Sequence, residues 1–214
     1  MAGISGSACG YCSKVSLFGS PPELRGCGQT VPPGDERSAS PSVTLPPEGS
    51  GTAITADDDN GALAQYGPAI LFGGKSLPDP SGAIKVSTKG KKSVTSSASV
   101  RSFSTGPFSA TSVRTACSAS QTAGPTGSTT VTGGVLVTKT DADGNPAKSE
   151  KIPSKPPANY TRKGVNDVGD KFKAVFNEQK VARDGTITVI GLHLYLLGPR
   201  ATGEVVVAQS RAKA

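Results

Sequence analysis

The chain of 214 residues holds 27 Gly and 17 Pro, no Trp and only 5% aromatics, a composition that excludes long helices and a thick core. No run of about 18 apolar residues occurs, which excludes a membrane-spanning helix. The net charge of +7 invites an anionic partner, but the basic residues look scattered, with one cluster at Lys89-Gly-Lys-Lys92, and aromatics to stack bases are few. This argues against nucleic acid and leaves the charge to solubility or to a weak attraction to anionic envelope polymers.

In chain order, residues 13–19 read as a first strand with Val15 and Leu17 on one face and Lys14 and Ser16 on the other. Residues 20–51 form a Pro/Gly-rich loop with one extended piece at 42–45. Residues 52–56 predict a strand ending in the turn Asp57-Asp58-Asp59-Asn60-Gly61, and residues 62–72 a second strand bulged at Gly67-Pro68 or lying at a sheet edge. A hairpin joins 83–88 to 93–104 across the Lys89 cluster, with Val94, Ser96, Ala98, Val100 and Ser102 on one small, apolar face and Ser93, Thr95, Ser97, Ser99, Arg101 and Phe103 on the other, mostly polar one. Residues 111–121 carry Cys117, and 126–140 fold as a hairpin at Gly133-Gly134.

The turn Asp141-Ala-Asp-Gly144-Asn-Pro146 opens a Lys/Pro-rich loop, 141–167. Residues 168–182 fit a helical spacing through Val168, Phe172, Val175 and Phe176 as well as a strand alternation through Phe172, Ala174 and Phe176. The turn Arg183-Asp184-Gly185 leading into a β-prone run tips the choice to strand. Residues 186–197 form the most β-prone strand, bulged near Gly191, and 203–209 the last, followed by a basic tail, 210–214. The expectation is a single all-β domain over 1–214, a β-sandwich or flattened barrel of about ten short antiparallel strands with long Pro/Gly/Ser loops.

Four cysteines, Cys9, Cys12, Cys27 and Cys117, predict disulfides and an oxidising compartment. The first twelve residues lack the basic and apolar parts of a leader peptide, so either this is a mature form without its leader or the chain is not exported. Cys9-Gly-Tyr-Cys12 has the spacing of zinc knuckles and redox centres, but no second such pair or nearby histidine accompanies it, and structural disulfides are the favoured reading. Cys9 with Cys27 is the first choice, since it closes a loop around the first strand, with Cys12 to Cys27 the alternative; the partner of Cys117 is open.

His193 is the sole histidine, so any Ser-His-Asp or Cys-His site must use it; mid-strand, it reads as a structural residue, and no catalytic set is expected. No phosphate loop is present. Asp57, Asp58, Asp59 and Asn60, like Asp141 and Asp143, are weak calcium candidates without the full loop pattern, and turn capping is the favoured reading. No metal and no other cofactor is expected. Asn159-Tyr160-Thr161 matches a glycosylation acceptor.

The residues Ser7-Ala-Cys-Gly-Tyr11, Val15-Ser-Leu-Phe-Gly19, Arg25-Gly-Cys-Gly-Gln-Thr30, Ser40-Pro-Ser-Val-Thr-Leu-Pro46 and Gln65-Tyr-Gly-Pro68 form an ordered pattern. It continues through Thr126-Gly-Ser-Thr-Thr130, Pro157-Ala-Asn-Tyr-Thr-Arg162, Val168-Gly-Asp170, Ala174-Val-Phe-Asn-Glu-Gln179, Asp184-Gly-Thr-Ile-Thr-Val189 and His193-Leu-Tyr-Leu-Leu-Gly-Pro199. Together they resemble the choice-of-anchor P family of actinobacterial exported proteins. The resemblance implies an extracellular β-rich protein of unassigned activity, with a last-strand cysteine opposite Cys117 whose place here falls near Ala212. Members carry a leader and one of several anchoring signals; here Leu45-Pro-Pro-Glu-Gly49 is internal and is not a sorting motif.

These readings lead to a non-catalytic secreted or cell-surface β domain with a binding or scaffolding role toward an envelope polymer, glycan or protein. The alternatives are a self-associating structural subunit of an extracellular assembly and a glycan- or calcium-dependent adhesin.

Overall fold

Successive Val, Thr and Ser residues at two-residue spacing suit a pleated, half-buried surface, and they form one. The computed structural model describes residues 4–19, 21–26, 42–45, 54–59, 81–89, 92–105, 107–166 and 168–214, and these contain strands but no helix. Fourteen strands are β1 (Ser5–Leu17), β2 (Glu23–Gly26), β3 (Ser42–Leu45), β4 (Ile54–Asp59), β5 (Ser81–Lys89), β6 (Ser93–Thr105) and β7 (Phe108–Ser120), then β8 (Thr126–Thr132), β9 (Val135–Thr140), β10 (Pro146–Lys151), β11 (Tyr160–Val165), β12 (Lys171–Val181), β13 (Ile187–Leu197) and β14 (Ala201–Lys213). One path of eleven runs β2-β1-β14-β13-β12-β11-β9-β7-β6-β5-β4, with β3, β8 and β10 pairing to β1, β7 and β9. It curls into a nearly closed barrel-like or sandwich shape. Every ladder is antiparallel except the single β9–β11 pairing, Lys139 with Val165.

Curling brings β6 and β7 over β13 and β14, and the space between is the core. Phe103, Phe108, Phe176, Leu136, Leu192 and Leu194 are fully buried there, with the Phe108 and Phe176 rings 5.2 Å apart. The layer is thin and includes hydroxyls: Ser96 donates to Arg211 O at 2.6 Å, while Thr115 and Thr129 are buried without a partner among the described residues. Buried hydroxyls left this way cost stability, so the apolar cluster must carry the fold.

A crease crosses four strands. Pairing continues in the same register on both sides of one row, Asn177 in β12, Gly191 in β13, Ala208 in β14 and Gly10 in β1, and Asn177 and Ala208 have positive φ, 52° and 55°. Before the row Ile187 and Val189 face the core and after it Leu192, Leu194 and Leu196 do, a change of parity that regular pleating forbids. Gly191 is required there, because a Cβ would lie 2.5 Å from Val113 Cγ1 and 3.0 Å from Val207 O. The bulge expected near Gly191 is thus one member of a longer feature.

Several boundaries differ from expectation. The first strand starts at Ser5 and takes in both Cys9 and Cys12. The 20–51 loop contains β2 as well as the anticipated 42–45 strand. Asp57, Asp58 and Asp59 are not a turn but strand residues laddered to Ala83, Gly82 and Ser81; the expected strand at 62–72 lies outside the described residues. Gly133-Gly134 is no hairpin: β8 and β9 both run antiparallel to β7, against 112–118 and 108–109, so the pair, with Gly133 at φ 62°, bends one course rather than reversing it. The 141–167 loop contains β10 and β11, because Thr, Lys and Tyr between its prolines pair readily once a neighbour is present. The 210–214 tail is mostly strand, Ser210 to Lys213 pairing with β1 and Ser210 to Ala212 also with β13.

Candidate binding face and a buried histidine cluster

Residues directly opposite in adjacent strands share a face, so the register shows what the sheet turns away from the core. In β13 the core-facing residues after the crease are Leu192, Leu194 and Leu196; His193 and Tyr195 therefore take the other face, beside Glu204 of β14. His193 is only 5% exposed. Its Nδ1 meets Glu178 Oε2 and its Nε2 lies 3.0 Å from Glu204 Oε2. Tyr195 Oη donates to Glu178 Oε1 at 3.1 Å, its ring stacks on the imidazole at 4.0 Å, and Lys173 Nζ sits 3.9 Å over it.

Burial pushes the Glu178 carboxyl up, but hydrogen bonds from Lys180 and His193, and their charges, outweigh it and hold the group below its ordinary value. The Tyr195 phenol is pushed up to about 12 by burial and by the charge of Glu178. A triad histidine keeps one nitrogen for the nucleophile; here both face carboxylates, and the cluster ties β12, β13 and β14 together.

The second face belongs to β6, β7 and β8. Two rows, Thr95–Ser118–Thr126 and Ser97–Ala116–Ser128, stand on the side away from the core. The row between them, Ser96–Cys117–Gly127, points inward: Ser96 and Cys117 are buried, and a Cβ on Gly127 would lie 2.3 Å from Val189. Because Ala116 is short, the two rows bound a trough of about 430 Å³. Ser118 and Thr126 hydroxyls pair across it at 2.8 Å. Exposed Arg114 stands opposite Ser99 and Thr130, and exposed Arg101 opposite Ser112.

No family model, curated protein or solved structure matches the chain.

The cysteines are distributed by the crease. Ala8 faces the core before it and Val15 packs on the core after it, so Cys9 and Cys12 share the opposite face, and their sulfurs lie 3.2 Å apart. Cys27, the partner expected for either, lies outside the described residues, although its chain neighbour Gly26 stands opposite Cys12. Cys117 is a free, buried thiol. Burial pushes its pKa up to about 11 against weaker opposing pulls from Ser210 and the Ser96 backbone. The β14 residue that reaches Cys117 is thus Ser210, two places before the Ala212 position that the family resemblance implied.

Asp141 caps its own turn, accepting from Asp143 N at 3.0 Å and Asn145 N at 2.8 Å. Asn60 lies outside the described residues, and among those described no three His, Cys, Asp or Glu side chains are arranged to hold a metal ion. In the Asn159 sequence, Thr161 donates to Asn159 O and Asn159 Oδ1 accepts from Gln179 N.

Sequence reasoning found His193 but missed Glu178 and Glu204, which lie 15 and 11 positions away and join it only through strand register. It also missed the arginine and hydroxyl face, for which a signal existed: no Asp or Glu occurs between residues 80 and 140.

Proposed function

We propose that this chain is a non-catalytic β domain that works outside the cytosol by binding, in the cell envelope or beyond it. The observation that supports this most is the engagement of its one histidine. With Glu178 on one ring nitrogen and Glu204 on the other, the residue most suited to acid–base work near neutral pH is committed to holding three strands. The hydroxyl-lined trough supplies a surface for a ligand instead.

A structural subunit that polymerises is favoured by the two ends of the sheet path, β2 and β4. Three consecutive aspartates in β4 count against it, since charge on an edge strand discourages edge-to-edge pairing.

Cell fractionation of the native source, with trapping of thiols before lysis, tests the proposal. Export predicts the protein in the medium or envelope fraction with Cys9 and Cys12 oxidised; Cys117, buried, stays a thiol in either case. A cytosolic protein whose Cys9, Cys12 and Cys27 all take up the alkylating agent overturns it.

A further inference from the structure

Seven of the chain's 23 Lys and Arg lie between residues 80 and 140, and none of its 16 Asp and Glu does. That stretch, β5 to β9, alone carries the net charge of +7; the rest, with sixteen of each sign, is neutral. The basic residues are therefore not scattered in the sense that matters, which is their balance against acids. Opposite charges nearby would quench a basic face, and β6, β7 and β8 contain none.

Position sharpens the imbalance. Arg114 is opposite Ser99, and Arg101 is two residues further along β6, so the two are diagonal neighbours on one face, about 7 Å apart. Along β7, Arg114 is two residues from Ala116, the floor of the trough. Beside two exposed guanidinium groups thus lies a concave surface edged by Thr95, Ser97, Ser118 and Ser128. Among the described residues the acids of the strands flanking this stretch, Asp57 to Asp59 in β4 and Glu150 in β10, lie beyond β5 and β9, not beside the trough.

We infer that this face binds a linear anionic polymer whose backbone is rich in hydroxyls, a sugar or polyol chain bearing carboxylate or phosphodiester groups. Guanidinium is the side chain suited to both anions, since its fork of donors meets two oxygens at once. Serine and threonine hydroxyls donate and accept, and so match the hydroxyls of such a backbone in either sense. Nucleic acid would need aromatic platforms for its bases, and the face offers none among its described residues. This identification rests on the binding-domain reading above and names the ligand class for it.

Affinity electrophoresis of the intact protein through gels holding polygalacturonate, poly(glycerol phosphate), dextran or an oligo-dT strand tests the inference. Retardation by polygalacturonate assigns carboxylate and by poly(glycerol phosphate) phosphodiester; either must exceed that by neutral dextran by about tenfold and weaken as salt is raised. The double substitution Arg101→Ser/Arg114→Ser lowers binding about tenfold, whereas Lys148→Ser/Lys151→Ser, which removes equal charge from the neutral remainder, changes it by less than about twofold.

Ser128→Asp, which plants one acid in the trough at an exposed position, gives the same loss as the arginine pair and serves if that pair fails to fold, as judged by circular dichroism. Equal losses from both double substitutions, or tightest binding to oligo-dT, overturn the inference. So does capture by dextran alone, an outcome that leaves the binding-domain reading standing; binding to no probe removes the ligand class without touching the compartment result.

Discussion

Across β12, β13 and β14 the face turned from the core is locked by charge, with buried Glu178 and His193 bonded to each other, to half-buried Tyr195 and to the exposed Glu204. Across β6, β7 and β8 the same kind of face carries hydroxyls and two exposed arginines with no acid in any of those strands. One region bonds its titratable groups to one another, and the other directs two guanidinium groups outward with no acid beside them. The difference teaches where to look for function: a titratable cluster bonded to itself holds strands together, while cations left without acids beside them mark the face proposed above for a ligand.

The comparison breaks most readily at Glu178. Glu178→Ala leaves His193 and Tyr195 without their shared acceptor and should cost about 3 kcal/mol, measured by urea unfolding. The same residue sets an acid limb: its folded pKa lies below the unfolded value, so its contribution is complete above the ordinary carboxylate range of about pH 4 and lost as pH falls through the folded value. Glu178→Gln should flatten that limb while leaving unfolding above pH 8 free of a new titration.

A smaller effect tests the crease that carries His193 to its face. Gly191→Ala forces a methyl against Val113 and the Val207 carbonyl and should cost about 2 kcal/mol. No loss would mean that the parity change does not depend on close approach to β7.

The smallest effect is the sharpest contrast. Ser97→Ala with Ser128→Ala, on the hydroxyl face, should change stability by less than about 0.5 kcal/mol, because those side chains hold nothing together. A loss comparable to that of Glu178→Ala would make the face structural and erase the distinction between the two regions.

The all-β class and most strands were legible because alternation along β6, β7 and β13 is local: Val94, Ser96, Ala98 and Val100 face the core as their spacing predicts, although Phe103, expected on the polar face with Arg101, is buried in the core. What escaped was non-local. A pair of glycines at 133–134 reads as a reversal, yet whether the chain reverses or bends depends on β7 lying alongside both β8 and β9. Likewise β10 and β11 look like loop until their partners are known, and the Asp57 to Asp59 run reads as a turn when β5 makes it a strand. In the site, His193 was visible as a singular residue, but its carboxylates were not, since only folding places β12 and β14 on either side of it. The Cys9 and Cys12 contact had a signal in the Cys-x-x-Cys spacing, but the crease at Gly10 that puts both on one face of β1 had none.

The claim that the two faces divide scaffold from surface is tested most directly by nuclear magnetic resonance of the intact protein titrated with polygalacturonate or poly(glycerol phosphate). The account predicts movement of the Arg101 and Arg114 side-chain signals and of the Ser97, Ala116 and Ser128 amides, with His193 and Tyr195 unmoved. Shifts centred on His193, Tyr195 and Glu204, with the arginines silent, would contradict it.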